Sequence, residues 1–161
     1  MKGFIILLRH GIAEDRTADK PDEERRLTDS GKRRMKQIAR TLAQIFPEAE
    51  ALYSSPLVRA VETAEAVARA FGDELKIQTA DALKPGSDPR EFRKLLAGLK
   101  VQFAIFAGHE PVLTEIMLDL TSTRTDSEIE LKKGGCYGLR VDENSAHLEW
   151  MLPPRVLRLS S

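Results

Sequence analysis

The sequence predicts an α/β fold: a three-layer sandwich with a largely parallel central sheet, helices on both faces and an antiparallel hairpin at the C-terminal edge. Three observations predict it. Short continuous apolar runs with β-branched members, which suit strands buried on both faces of a parallel sheet, recur along the chain. Between them lie stretches whose apolar residues return at helical spacing, so strand and helix alternate. Near the end the alternation stops, and two extended segments flank the turn-rich tetrad Asp142-Glu143-Asn144-Ser145.

Taken in order, Phe4-Ile5-Ile6-Leu7-Leu8 is the first buried strand. Residues 12–26 are polar and charged and contain Pro21, so they are expected to form an exposed loop over that strand's end. Thr28 is placed as an N-cap, and Met35, Ile38, Ala39, Leu42, Ile45 and Phe46 follow as one helical stripe that Pro47 stops. Ala51-Leu52-Tyr53 is the second strand. A second stripe of Leu57, Ala60, Val61, Ala64, Val67, Ala68 and Phe71 ends at Gly72. Residues 75–79 are expected as a strand, 88–99 as a short helix, 103–107 as another buried strand and 111–120 as a helix with Pro111 in its first turn. Residues 136–141 and 147–151 form the hairpin.

Composition narrows the possibilities. The 161 residues suit one domain, 1–161. Twenty-five basic and 25 acidic residues balance, so no global field draws the chain to nucleic acid or an anionic membrane. Lys32-Arg33-Arg34 is accordingly expected as the solvated face of the first helix. One cysteine, Cys136, and three histidines exclude a disulfide framework and leave too few soft ligands for structural zinc. The apolar run after the N-terminus closes at Arg9 and His10, far short of a membrane span or a signal h-region. A cytoplasmic, monomeric protein is expected, with His147 at a surface and Cys136 as a small buried residue.

Three polar clusters fall where α/β folds bind ligands, at the carboxyl ends of strands and the starts of helices: Arg9-His10-Gly11, residues 54–59, and Gly108-His109-Glu110-Pro111. Singly, each also fits a basic turn, a solvated helix residue or a cap. Together they place two imidazoles, two guanidiniums and a helix N-terminus around one sheet edge, a set suited to a dianionic phosphoryl group. A neutral imidazole, with an ordinary pKa of about 6.5, is a nucleophile near neutral pH without an added base, which suits His10. Arg9 and Arg59 offer planar forks for phosphoryl oxygens, and His109 can stabilise charge in the transition state.

At these residues the chain resembles the histidine phosphatase superfamily, whose fold is phosphoglycerate mutase-like. Leu8-Arg9-His10-Gly11 resembles its Arg-His-Gly signature. Ser54-Ser55-Pro56-Leu57-Val58-Arg59-Ala60 with Thr63-Ala64 resembles its second Arg motif, and Gly108-His109 its second His motif. The resemblance implies that His10 is phosphorylated, that Arg9, Arg59, His109 and Gly11 build the phosphate pocket, and that neither metal nor cofactor is used. Family members that cleave phosphoesters usually carry a Glu as leaving-group acid in the region matching residues 83–88, and none stands here. An alkoxide, whose conjugate acid has a pKa near the 15.7 of water, needs that proton, whereas imidazole, at about 6.5, does not. The chain also lacks the long insertions that cover the pocket in sugar-phosphate mutases. It therefore resembles most the small SixA-type phosphohistidine phosphatases, which implies a phosphorylated protein as substrate. A small-molecule phosphomonoesterase and a non-catalytic phosphate-binding module are the alternatives. Asp15, Asp81, Asp88, Glu91 and Glu110 lie near the motifs and are expected to be solvated carboxylates.

Overall fold

A computed structural model describes residues 1–143 and 145–159. Its sheet has six strands in the order β3-β2-β4-β1-β5-β6. These are β1 (Gly3–Arg9), β2 (Ala51–Ser54), β3 (Ile77–Thr79), β4 (Phe103–Gly108), β5 (Cys136–Val141) and β6 (Ala146–Leu152). The pairs β1/β4, β2/β4 and β2/β3 are parallel, while β1/β5 and β5/β6 are antiparallel, so the parallel body and the antiparallel C-terminal edge are both as predicted.

Strand alternation divides the core in two. Ile6, Leu8, Leu52, Ile105 and Ala107 face α1 (Asp29–Ile45), α2 (Val58–Ala70) and α5 (Pro154–Leu157). Ile5, Leu7, Ala51, Ala104 and Phe106 face α3 (Pro89–Gly98) and α4 (Val112–Leu120). Both faces of the central strands are therefore covered, which is why β1 and β4 read as unbroken apolar runs and not as alternating ones.

Helix α1 starts where Thr28 accepts a hydrogen bond from the Gly31 N–H at 3.0 Å, as its N-cap reading requires. Asp88 caps α3 in the same way through the Arg90 N–H. Ile45 departs from its predicted stripe and is exposed, while Phe46 turns in to stack near Phe4 and Trp150. The third strand is shorter than predicted. Leu75 packs into the core before the strand begins, and only three residues pair with β2 at this edge. Asn144 of the predicted hairpin turn lies outside the described residues, but Asp142 N–H donates to Ser145 carbonyl at 2.8 Å across it.

Residues 12–26 are more than a solvated loop. Ala13 and Leu27 form an isolated antiparallel bridge and are both buried, a short turn spans Asp22–Glu24, and Asp22 reaches back to α2. The sequence showed only polarity there, because the docking depends on partners on α2 more than 30 positions away, Arg59 for Asp22 and Glu62 for Arg26 and Leu27. His147 is exposed on β6, and Cys136 is buried with its thiol pushed up to about 12 by that burial. Among the described residues no helix is long and apolar enough to cross a membrane.

Candidate active site

Parallel pairing brings the three clusters to one edge. Arg9 ends β1 directly opposite Gly108 at the end of β4, and the His10 N–H donates to the Gly108 carbonyl at 3.0 Å. The imidazoles of His10 and His109 thereby come within 5.0 Å, centroid to centroid. Arg59 enters from the first turn of α2, which follows β2, and is only 2% exposed. His10 and His109 are buried too, at 6% and 2% exposure.

A hydrogen bond to a carbonyl defines the His10 tautomer. His10 Nδ1 lies 2.7 Å from the Gly11 carbonyl, which can only accept, so Nδ1 carries the proton and Nε2 keeps a free lone pair. Gly11 is itself held by its N–H, which donates to Thr63 Oγ1 at 3.1 Å, while Thr63 donates to the Arg59 carbonyl. A side chain could not stand at Gly11, because a Cβ there would come within 2.5 Å of Met35 Cγ. His109 Nε2 lies 2.8 Å from Ser55 Oγ, which already accepts from the Leu57 N–H. Ser55 can donate its own proton to Nε2, and in that arrangement the His109 proton sits on Nδ1 as a donor.

The pocket carries unspent donors. Arg9 Nη1 donates to the Leu131 carbonyl at 2.6 Å, and Arg59 donates through Nη1 to the Asp22 carbonyl at 2.7 Å and through Nη2 to its Oδ2 at 2.9 Å. Arg9 Nε, Arg59 Nε and His109 Nδ1 are all buried without a partner among the described residues. Buried N–H groups are costly to leave unpaired, so three at one site point to an anionic ligand with several acceptor oxygens. Neither Asp22 nor Ser55 received a role from sequence reasoning; Ser55 lies inside a motif that could have flagged it, whereas Asp22 had no local signal.

Burial lowers the His10 pKa from 6.5 to about 3, with Arg59 and Arg9 adding to the effect. His109 falls to about 2 for the same first reason, reinforced by His10 and Arg59. Both rings are neutral at pH 7. A folded-state pKa below the unfolded one means that the unfolded chain binds more protons, so this stability is present above about pH 6.5 and is lost as pH falls towards 3. At pH 5 each histidine is expected to cost on the order of 2 kcal/mol relative to pH 8. Urea denaturation at the two pH values checks this. A His10→Asn/His109→Asn double variant with undiminished pH dependence would refute it.

Of the five carboxylates near the motifs, Asp15 is exposed, Asp81 pairs with Lys84, Glu91 with Lys94, and Asp88 is bound to Arg90 and held at about 2. Glu110 differs from its expected solvated state. It is half-buried and accepts from Thr114 Oγ1 at 3.0 Å, and Thr114 in turn lies 2.7 Å from the Tyr137 hydroxyl. Burial pushes its carboxyl above the usual range. Residues 83–88 supply no comparable group. Among the described residues, no group of three or more His, Cys, Asp or Glu is placed to hold a metal ion.

A family model described as histidine phosphatase superfamily (branch 1) matches residues 5–85. An uncharacterized protein of Picosynechococcus sp. is 34% identical over 143 residues, covering 84% of each chain. The fold matches a structure of the protein histidine phosphatase SixA complexed with tungstate at a TM-score of 0.82 and 24% identity, covering 96% of this chain and 99% of that one. It also matches an Entamoeba histolytica phosphoserine phosphatase mutant in complex with phosphoserine, at 0.71 and 16% identity over 95% and 98%.

Proposed function

The chain belongs to the histidine phosphatase superfamily, and on that premise we propose that it is a metal-independent phosphatase of the SixA type, which removes the phosphoryl group from protein phosphohistidine through a covalent intermediate on His10. The observation that carries this reading is a buried, neutral His10 whose Nδ1–H is held by Gly11. That bond leaves Nε2 with a free lone pair on a ring 5.0 Å from that of His109, while Arg9 Nε, Arg59 Nε and His109 Nδ1 are buried without partners among the described residues.

In the first step Nε2 attacks phosphorus and the P–N bond to the substrate breaks. The leaving imidazole, protonated on its other nitrogen, departs neutral and needs no acid. His10 becomes a phosphorylated imidazolium whose Nδ1–H remains on the Gly11 carbonyl. In the second step water attacks phosphorus, loses its proton to solvent, and His10 leaves as the neutral ring it was. Arg9, Arg59 and His109 Nδ1–H hold the equatorial oxygens in both steps, where charge is spread. Gly11 orients the nucleophile, and Asp22 positions Arg59, which keeps three of its five N–H donors for the phosphoryl group.

Release of phosphate from a phosphohistidine protein, measured beside a phosphoserine peptide, tests the reading. Turnover of the first is expected, and EDTA should leave the rate unchanged. A loss with EDTA that magnesium or zinc restores would overturn metal independence. Arg59→Lys keeps the charge but loses the fork, so kcat/KM should fall at least about tenfold, about 1.4 kcal/mol of transition-state stabilisation. An unaffected variant would remove Arg59 from the site. One observation favours the phosphomonoesterase alternative: Glu110, with its raised pKa, has the character of a proton donor.

A further inference from the structure

We propose that the groove between α1 and α2 docks an acidic segment of the phosphorylated protein, next to its phosphohistidine; this rests on the function proposed above. The groove measures about 590 Å³ and is lined by the cations Arg26, Lys32, Arg33, Lys36, Arg40 and Arg69 against two carboxylates, Glu62 and Glu65. A chain with zero net charge thus carries four positive charges in excess along one furrow.

Local stability does not explain this arrangement. Lys32 and Arg33 stand near the start of α1, where the helix dipole favours acidic residues, and Arg33, Lys36 and Arg40 repel one another at i+3 and i+4 spacing. Only three of the six cations are paired among the described residues. Glu62 is taken by Arg26 at 3.0 Å, by Lys32 at 3.7 Å and by the Leu27 N–H, and Glu65 is taken by Arg69. Arg33, Lys36 and Arg40 are exposed and make no ion pair among the described residues. A feature that opposes helix stability without internal compensation is where function is expected.

The groove begins one helical turn from Arg59 of the candidate active site. Glu62 stands one turn beyond Arg59 on α2, and its neighbour Thr63 holds Gly11. From Arg59 to Arg69 the helix rises about 15 Å, a distance that an extended peptide covers in about five residues. Acidic residues about two to six positions from a phosphohistidine at His10 would therefore lie over the cations. An acidic polypeptide suits the groove better than a nucleic acid, because Glu62 and Glu65 punctuate it, Ala66 and Ala70 floor it, and no aromatic ring lines it for stacking.

The test uses two synthetic phosphohistidine peptides, identical except that one carries Glu and the other Lys at those flanking positions, beside phosphoimidazole as a substrate with no flanks. The Glu peptide is expected to show a kcat/KM at least about tenfold higher at low salt, equivalent to about 1.4 kcal/mol. That preference should collapse in the R33E/K36E/R40E variant and in high salt, with phosphoimidazole turnover unchanged as the control for folding. Equal kcat/KM for the two peptides, with phosphoimidazole still turned over, would overturn the docking surface and leave the phosphatase reading standing. Failure on every phosphohistidine probe would overturn that reading and the docking surface with it. Peptide indifference combined with single-stranded DNA binding that the triple variant abolishes would make the groove a nucleic-acid surface and refute the proposal.

Discussion

His10→Asn is expected to lower turnover at least about 10⁴-fold, because it removes the unprotonated ring nitrogen of the proposed nucleophile and leaves Arg9, Arg59 and His109 in place. Asparagine can still donate to the Gly11 carbonyl, so the loop after β1 should keep its place and the loss should appear in kcat. Phosphate bound to the pocket as a competitive inhibitor should be retained within a few-fold. Rapid quench of the parent enzyme with labelled substrate should trap one phosphoryl group that is alkali-stable and acid-labile, and His10→Asn should trap none. The chemistry of the neighbours supports this choice. His109 is tied through Nε2 to Ser55, so the nitrogen equivalent to the proposed His10 nucleophile is engaged. Cys136 is fully buried with its thiol pushed up to about 12, so it is not ionised near neutral pH. Label on Ser55, Asp22, His109 or Cys136 would sink the mechanism.

Which parts of this site were legible in the sequence follows from the range of the interactions that build it. β1 and β4 are buried on both faces, so their apolar runs announced them, and parallel pairing then brings whatever follows each strand to a common edge. Arg9, His10 and His109 lie immediately beyond those runs, and Arg59 lies in the first turn of the helix after β2, so all four were readable. The supporting groups were not. Asp22 reaches Arg59 from a loop without periodicity, and the Leu131 carbonyl reaches Arg9 across 122 positions from a stretch that carries no element. Such contacts are determined by tertiary packing, which a linear pattern does not encode. The misjudgement of Glu110 has the same origin. In sequence it is one carboxylate among five, and only the folded chain half-buries it and brings Thr114, itself bonded to Tyr137 of β5, into hydrogen-bond reach.

Glu110 also bears on the second large effect, a preference for phosphohistidine over phosphoserine of at least about 10³-fold in kcat/KM. Imidazole and an alcohol differ by about nine units in the pKa of the leaving group. If no acid protonates the leaving atom, negative charge accumulates on it, and a leaving-group series from phosphoimidazole through aryl to alkyl phosphates should fall steeply, with aryl phosphates intermediate. Asp81, Asp88 and Glu91 are committed to basic partners, so their amides should change little. The discriminating variant is Glu110→Gln, which preserves the bond from Thr114 and removes only the titrating proton. The expectation is that Glu110→Gln leaves phosphohistidine turnover within a few-fold and the slope of the series unchanged. This would mean that the Tyr137–Thr114–Glu110 chain anchors the start of α4 behind His109 without acting on the leaving group. A shallow slope in the parent enzyme that steepens in Glu110→Gln, with alkyl phosphate turnover abolished, would identify Glu110 as a relocated acid. Burial already raises its pKa, the direction a proton donor needs, and the small-molecule phosphomonoesterase would then replace the phosphohistidine phosphatase as the function of this site.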